Sequence, residues 1–328
     1  MAALPTTYGS LIDIAKSLDP DGSTADVVEM LKKEVPILDN LPFMAGNLET
    51  GHRHVVRSGL PEGTWRRLYE FVQPGKSQKI QVDDTCGMLE AFTEVEEKVI
   101  ELAGANGAAY RKDEDMSYAM GMGHQMAETI FYGNGKTSPA KFTGLAPRYS
   151  SLSAENADNI IDAGGNGSDN TSVWLIVPGK KRVHGIFPKN TKAGISMKDL
   201  GVETKTDSNG GLLRVYRSQL KWDAGLVVAD WRYAARVCNI NVSDLKKDAS
   251  TGADLVDLIV DMLERVPSLE GAQIYCNRNL RSFLRRQMIN HKNVNLTFET
   301  VAGKKVMTIG EVPVYRCDSL LNTEARVT

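Results

Sequence analysis

The chain has 328 residues, of which 42% are apolar and 24% charged, and its formal net charge at pH 7 is -2. A chain of this length can bury roughly three quarters of its unfolded surface and suggests about two domains, while the near-neutral charge argues against a dedicated nucleic-acid-binding protein. No apolar run approaches the ~20 residues of a membrane span, and residues 1–18 lack the basic start and apolar block of a signal peptide, so we expect a protein kept in a cytoplasm-like compartment without membrane contact.

The first fifty residues are predicted to form an arm that is too thin to bury a core of its own. A short helix is predicted over residues 24–34, and Pro36 ends it. Residues 13–49 hold 3 basic and 8 acidic side chains, a balance of -5.

Residues 52–82 alternate in polarity between Gly and Pro turns, which predicts a long β-hairpin with a β-prone run at residues 64–72. The segment holds 6 basic and 2 acidic side chains, a balance of +4, whereas residues 83–101 hold 1 basic and 7 acidic side chains, a balance of -6. An isolated hairpin is at best marginally stable in water, so it must lie either on its own subunit or on another.

Two helices are predicted after the hairpin. Thr93 and Glu96 match a capping box at the start of the first, and Gly104 ends it. The second is predicted over residues 113–132, where the interior Gly121 and Gly123 suggest close packing against another backbone. Its acidic residues 113–115 are interpreted as first-turn charges that favour the helix dipole.

The stretch YGNGKTSP, residues 132–139, places Gly135, Lys136 and Thr137 together as a phosphate loop would. That motif needs an earlier glycine and must lead from a strand into a helix, but Ile130 stands in the glycine position and a helix precedes the stretch. Gly133 and Gly135 are therefore interpreted as helix-stop and turn residues.

The remainder is predicted to be mostly β. Residues 173–177 are typical of a buried strand, and Asn209, Gly210 and Gly211 indicate a hairpin turn. Helices are predicted over residues 253–266 and 279–290, followed by paired strands around Gly303 and Gly310.

No residue pattern indicates catalysis, a cofactor or a metal. The five histidines form no metal motif, there is no GxSxG sequence, and the four cysteines are widely spaced, typical of small buried residues. The helix bearing Arg278, Arg281 and Arg285 on one face is the best candidate for DNA contact, and a salt-bridged surface or subunit contact is its alternative interpretation.

Four stretches carry a family resemblance over essentially the whole chain: FTGLAPRY (142–149), VWLIVPGKKRVHGIFPKNTKAGI (173–195), GLVVADWRYAARVCNI (225–240) and CDSLLNTEARV (317–327). With them, the chain resembles the tailed-phage major capsid proteins of the Hong-Kong-ninety-seven-type fold, in particular the gene-seven-like podophage coat family. The resemblance implies an α+β fold with an N-terminal arm, an extended β-hairpin loop, a spine helix, and peripheral and apical domains.

The resemblance also implies how these parts follow along the chain. The implied division is the N-terminal arm at 1–50, the extended loop at 51–86, the peripheral domain with its spine helix at 87–145, mainly the apical domain at 146–300, and C-terminal strands that return to the peripheral domain at 301–328.

The implied function is self-assembly, as hexamers and pentamers, into the icosahedral shell that encloses the double-stranded DNA of a tailed bacteriophage. The implied location is the virion, with assembly in the bacterial host cytoplasm. Portal, scaffolding and cement proteins are implied partners, and packaged DNA is an implied non-specific one.

Opposite charge suggests how a hairpin is held across a subunit boundary, with aromatic side chains as apolar anchors. The predicted inter-subunit contacts in the hairpin are Arg53, Arg57, Trp65, Arg66, Arg67, Tyr69, Phe71, Lys76 and Lys79. The predicted acidic acceptors are Asp83, Asp84, Glu94 and Glu97. The competing hypotheses are an α/β enzyme whose site comes from scattered residues, and another virion protein that binds nucleic acid through residues 278–286.

Overall fold

The computed structural model describes residues 35–59, 61–206, 210–246, 252–290, 296–301 and 304–328. Most of the predicted arm, including the helix predicted over residues 24–34, lies outside the described residues. Within them, six α-helices occur: α1 (Ile37–Asn40), α2 (Glu97–Ala103), α3 (Gly107–Tyr132), α4 (Leu145–Arg148), α5 (Leu255–Glu264) and α6 (Arg278–Asn290). The same residues form thirteen strands: β1 (Phe43–Ala45), β2 (Gly51–Gly59), β3 (Gln78–Glu96), β4 (Ile160–Asp162), β5 (Asn170–Ile176), β6 (Val183–Phe187), β7 (Ser196–Thr206), β8 (Leu212–Val228), β9 (Ala234–Asn241), β10 (Gln273–Cys276), β11 (Leu296–Val301), β12 (Lys304–Ile309) and β13 (Val312–Arg316).

Strand β3 is shared between the hairpin and the first sheet. Its first half pairs antiparallel with β2, and its second half, from Cys86 onward, pairs antiparallel with β8. The sheet has the order β1-β6-β8-β3-β2, and β7 also pairs with β8. Gly51 stands at the base of the hairpin, where a Cβ atom would lie 2.0 Å from the carbonyl oxygen of Asp84. The close approach of the two strands there therefore requires glycine.

The second sheet has the order β11-β12-β13-β10-β5-β9-β4, with parallel pairing at β10–β13 and β4–β9. All of β5 is buried, because successive side chains point to opposite faces and both faces are covered. Trp174 and Ile176 pack in a core with α3, whereas Val173 and Leu175 pack in a second core with α5 and α6. The predicted buried strand is confirmed.

Helix α3 supports the first of these cores. Met122, Met126 and Ile130 recur at a spacing of four residues and are buried, as expected for one face of a helix. The helix ends at Tyr132 with Gly133 as its C-cap, and Lys136 lies in the following turn, so the interpretation of this stretch as a helix stop and turn is confirmed.

The prediction that glycines mark a close backbone approach along α3 was wrong. A Cβ atom at Gly121 would meet no atom of the described residues within 4 Å, and one at Gly123 would meet only Leu38 Cδ1 at 3.9 Å. Both positions leave space beside the helix.

The predicted capping box was also wrong. Glu96 is the N-cap of α2 and makes no side-chain capping bond, while Thr93 donates its hydroxyl hydrogen to Asp115. Helix α3 begins six residues earlier than predicted, at Gly107, so the acidic residues 113–115 lie beyond its first turn. Buried Asp115 also accepts a hydrogen bond from Ser218 at 3.1 Å and thus links α3 to β3 and β8.

For the other predicted helices and strands, the structure differs from the prediction mainly in the residues at which each element begins and ends. The helices predicted over residues 253–266 and 279–290 are α5 and α6, and the pairings of β7 with β8, β11 with β12 and β12 with β13 confirm the three predicted hairpins. The β-prone run at residues 64–72 is not a strand, because residues 61–77 contain only a turn at 68–69. Cys238, Cys276 and Cys317 are buried as expected, whereas Cys86 is half-buried.

Sheet membership cuts across the predicted order of domains. Residues 146–300 supply β6, β7 and β8 to the first sheet and β4, β5, β9, β10 and β11 to the second. The C-terminal strands β12 and β13 pair with β11 and β10. Strand pairing alone does not define domain boundaries, so the predicted domain division stays a prediction.

Candidate assembly interface

The hairpin of β2 and β3 extends beyond the pairing of β3 with β8, which ends at Cys86. Nine residues separate Gly87, beside β8, from the end of β3 at Gln78, which corresponds to about 30 Å at the rise of an extended strand. Beyond this point, residues 61–77 form the tip of the hairpin, and all but one of them are exposed.

The tip carries large apolar side chains that nothing in the described chain covers. Trp65, Tyr69 and Phe71 are 101%, 97% and 97% exposed, and Leu68 is 88% exposed. Tyr69 also has a φ of 70°, a left-handed conformation that is uncommon for a residue with a Cβ atom. Contiguous exposed apolar side chains of this size are typical of protein–protein contact sites.

The basic side chains of the hairpin divide into two groups. Arg53 pairs in a bidentate manner with Asp83 across the hairpin, at 2.7 Å for each hydrogen bond, and the hydrogen bond from Arg53 lowers the pKa of Asp83. The other predicted contacts form no ion pair within the part of the chain that the structure describes: Arg57, Arg66, Arg67, Lys76 and Lys79.

The four predicted acidic acceptors already have cationic partners in their own subunit. Asp83 pairs with Arg53, and buried Asp84 accepts a hydrogen bond of 2.6 Å from Arg148. Glu94 lies 2.6 Å from Lys205 and 2.7 Å from Arg217, and Glu97 lies 3.2 Å from Arg214. Burial acts to raise the pKa of Glu94, but the hydrogen bonds from these two cations lower it overall. Contacts between these carboxylates and a neighbour's hairpin would have to compete with the internal pairs.

An apolar groove of about 390 Å³ lies between the base of β3 and helix α3. Met88, Leu89, Met126 and Phe142 line it, and Met88 is 76% exposed. Polar and charged residues complete the lining: Gln125, Glu128, Thr129 and Lys141, with Gly87 and Ala140. Sequence patterns did not reveal the groove because its walls come from three separate segments.

The sequence profile described as Major capsid protein GP7 matches residues 19–328. The chain belongs to this family. No curated protein matches this capsid protein in sequence.

A solved structure is similar over the whole length of the capsid protein. The structure of bacteriophage Epsilon15 shares 35% identity with it, covers 100% of this chain and 99% of that one, and has a TM-score of 0.77. The predicted α+β fold of the Hong-Kong-ninety-seven type is confirmed, and the enzyme alternative finds no support.

More distant matches cover about two thirds of the chain. Mycobacterium phage Bobi shares 13% identity over 70% of this chain and 97% of that one, with a TM-score of 0.44. The SrpI encapsulin complex from Synechococcus elongatus PCC 7942 shares 10% identity over 66% and 91%, also with a TM-score of 0.44.

The predicted basic face of α6 also lines a cavity of the capsid protein. Arg278, Arg281 and Arg285 surround about 360 Å³ together with Ser282, Arg286 and Arg316. The cavity lies where α6 meets the end of β13, and the Asp318 carboxylate lies 2.6 Å from Arg316 and 3.5 Å from Arg278. The structure thus brings the three predicted arginines together.

Three histidines of the capsid protein meet at the base of the hairpin. The ring centroid of His52 lies 6.2 Å from that of His54 and 5.9 Å from that of His184. Burial lowers the pKa of His184 to about 4 and also lowers the pKa of His54. His52 and His54 are neighbours on β2, whereas His184 comes from β6, so the spacing of histidines in the sequence does not reveal the cluster.

The described residues contain no group of three or more His, Cys, Asp or Glu side chains arranged to hold a metal. None of the helices described here is long and apolar enough to cross a bilayer.

Proposed function

We propose that this capsid protein assembles as hexamers and pentamers into an icosahedral shell around double-stranded DNA, and that the hairpin tip of one copy packs into the β3–α3 groove of an adjoining copy. Proteins of this family are structural components of the virion and assemble with copies of themselves. The proposal also includes assembly in the host cytoplasm and interaction with portal, scaffolding and cement proteins. It retains the predicted division of the chain into domains.

The exposed tip is the observation that carries the proposal. Burying an aromatic or leucine side chain fully contributes about 1.5–3 kcal/mol, so leaving Trp65, Leu68, Tyr69 and Phe71 in water forgoes several kcal/mol per copy. An exposed ion pair contributes only about 0–1 kcal/mol. The apolar side chains, and not the charges alone, therefore supply most of the contact energy that the hairpin can offer.

The groove suits this tip in its chemistry. Exposed Met88 and half-buried Leu89 offer apolar surface, and methionine adapts to aromatic rings. Glu128 in the groove lining offers a carboxylate that has no ion pair within the described residues, and Arg66 and Arg67 directly follow Trp65 on the tip. Because about 30 Å of strand separates the tip from Gly87, a tip that enters this groove must come from a second copy.

The proposal is tested with the variant Trp65→Ser/Phe71→Ser. These side chains contact almost nothing in the subunit, so its thermal unfolding should be unchanged while shell formation, followed by light scattering and electron microscopy, is lost. Leu212→Ser is the matched control, because Leu212 is 72% exposed and lies at the start of β8, away from the hairpin. Normal shells from the tip variant would contradict the proposal.

A second experiment tests the position of the tip. In the variant Phe71→Cys/Met88→Cys, oxidation of assembled protein should produce disulfide-linked multimers on a denaturing gel, because the two thiols come from different copies. The single variant Met88→Cys controls for the natural Cys86, which is half-buried nearby on β3. Shells that give no more multimers than this control would place the tip elsewhere.

A further inference from the structure

The cavity beside α6 gathers an unusual number of like charges. Five arginines line it, at positions 278, 281, 285, 286 and 316, and Asp318 pairs with the first and last of them. The lining therefore concentrates five cationic side chains in a protein whose formal net charge is -2. Like charges at this density repel one another unless an anion lies between them.

The start of α6 adds to the positive potential. Asn277 caps the helix by accepting a hydrogen bond of 2.8 Å from the backbone N–H of Leu280. The first turn contains no acidic residue and carries Arg278 and Arg281. Cations are unfavourable at this end of a helix, where the dipole is positive and anions bind. Stability alone does not explain their position.

The guanidinium of Arg281 has unused hydrogen-bonding capacity. Its Nε atom is buried and finds no acceptor among the described residues. A buried N–H without an acceptor costs about 1–3 kcal/mol. An anion within the cavity would supply the missing acceptor.

We propose that this cavity binds the phosphate groups of a polyanion. Arginine recognises phosphate through two parallel N–H···O hydrogen bonds, which a planar fork of donors supports and a lysine ammonium does not. Arg278 and Arg285 lie seven positions apart on α6, or about 10 Å along its axis, with Arg281 between them. Charges spread over this length match successive phosphates better than one compact anion. Nucleic-acid backbone and free polyphosphate share this chemistry.

The test is a calorimetric titration of purified, nucleic-acid-free protein with two probes, a short DNA duplex and inorganic tripolyphosphate. The variant Arg278→Gln/Arg285→Gln should bind at least about tenfold more weakly and should reduce the slope of log affinity against log salt by about two for the duplex. Both side chains are exposed, so the variant should fold normally.

The charge-matched control is Lys180→Gln/Lys181→Gln, which removes two exposed cations from the turn between β5 and β6. It should bind like the parent protein. Arg281→Lys retains the charge but loses the fork of donors, so it should also weaken binding if the cavity recognises phosphate geometry. The circular dichroism of each variant establishes that it is folded.

The outcomes separate the two phosphate sources. Binding of both probes, each weakened by the arginine variants, supports a general phosphate site. Binding of the duplex alone supports nucleic acid as the ligand, and binding of tripolyphosphate alone supports a small polyphosphate. Equal weakening in the lysine control, or no weakening in Arg278→Gln/Arg285→Gln, would overturn the proposal. An arginine variant that binds both probes normally but fails to assemble would assign the cavity to subunit contact instead.

Discussion

Arg236 and Glu324 form an ion pair of 2.7 Å in which both side chains are only 4% exposed. Glu324 also accepts hydrogen bonds from Ser172 and, at 2.5 Å, from Tyr132. Arg236 donates to the carbonyl oxygen of Tyr149 at 2.7 Å. The pair therefore ties the C-terminal segment to β5, β9 and the end of α3, and every polar group in it has a partner.

Glu324→Gln should destabilise the subunit by about 3–5 kcal/mol, because it leaves the buried Arg236 guanidinium without its counter-charge. The measurement is the free energy of unfolding in urea. Glu270→Gln is the matched control, since Glu270 faces Arg182 at 3.7 Å with its side chain 88% exposed and should contribute about 0–1 kcal/mol. Equal effects of the two substitutions would show that the buried pair is no more important than a surface pair.

Gly121→Ala should stabilise the subunit by about 1 kcal/mol, because alanine favours the helix and its Cβ atom enters open space. Gly51→Ala, the same chemical change, should destabilise by roughly 2 kcal/mol or more, because its Cβ atom would lie 2.0 Å from the Asp84 carbonyl oxygen. Thermal unfolding of both variants checks the opposite signs. A loss of stability in Gly121→Ala would mean that the space beside α3 is filled.

Local patterns allowed the prediction of single elements of the fold. The run at residues 173–177 is continuously apolar because β5 is covered on both faces, and this run marked the strand correctly. Gly210 and Gly211 marked the turn between β7 and β8, because glycine readily adopts the positive φ angles of tight hairpin turns. The end of α3 was also predictable, because Gly133 and the following turn interrupt its pattern.

Charge counts alone misrepresented the electrostatics of the hairpin. They showed a basic block followed by an acidic one, which suggested carboxylates available to a neighbouring subunit. Glu94 instead pairs with Arg217, which lies 123 residues away along the chain and beside it on the adjacent strand. Strand pairing at this sequence separation has no local signature, so neither these internal ion pairs nor the β3–α3 groove could be predicted.

Acidification should destabilise the base of the hairpin. Burial lowers the pKa of His184 to about 4 from its ordinary 6.5, so below pH 6.5 the unfolded chain takes up a proton that the folded protein resists. The neighbouring charged and titratable groups are His52, His54, Asp84 and Arg148. The folded protein is therefore unaffected by His184 titration above pH 6.5 and loses stability as the pH falls toward 4. The loss is about 1.4 kcal/mol for each tenfold difference in proton affinity between the unfolded and the folded state.

The check is the slope of unfolding free energy against pH between 6.5 and 4 in the parent protein and in His184→Gln. The variant should have a smaller slope, because one of the groups that take up protons on unfolding is absent. Slopes that agree within error would remove His184 as a source of the pH dependence. The two proteins should differ by a constant amount above pH 7, where the imidazole is neutral in both states.

Charge reversal at the tip separates electrostatic from apolar contributions to assembly. Arg66→Glu/Arg67→Glu should leave thermal unfolding unchanged, because neither guanidinium forms an ion pair within the described residues and both side chains are exposed. Each reversed charge changes one contact by only about 1 kcal/mol, but the effect repeats at every tip in a shell. We therefore expect the concentration of protein needed for assembly to rise by at least about tenfold at low salt, and added salt to reduce this difference because it screens exposed charges.

Light scattering at several salt concentrations measures both quantities, with Lys180→Glu/Lys181→Glu as the charge-matched control. An unchanged assembly threshold in the tip variant would mean that the apolar side chains hold the hairpin without help from its arginines.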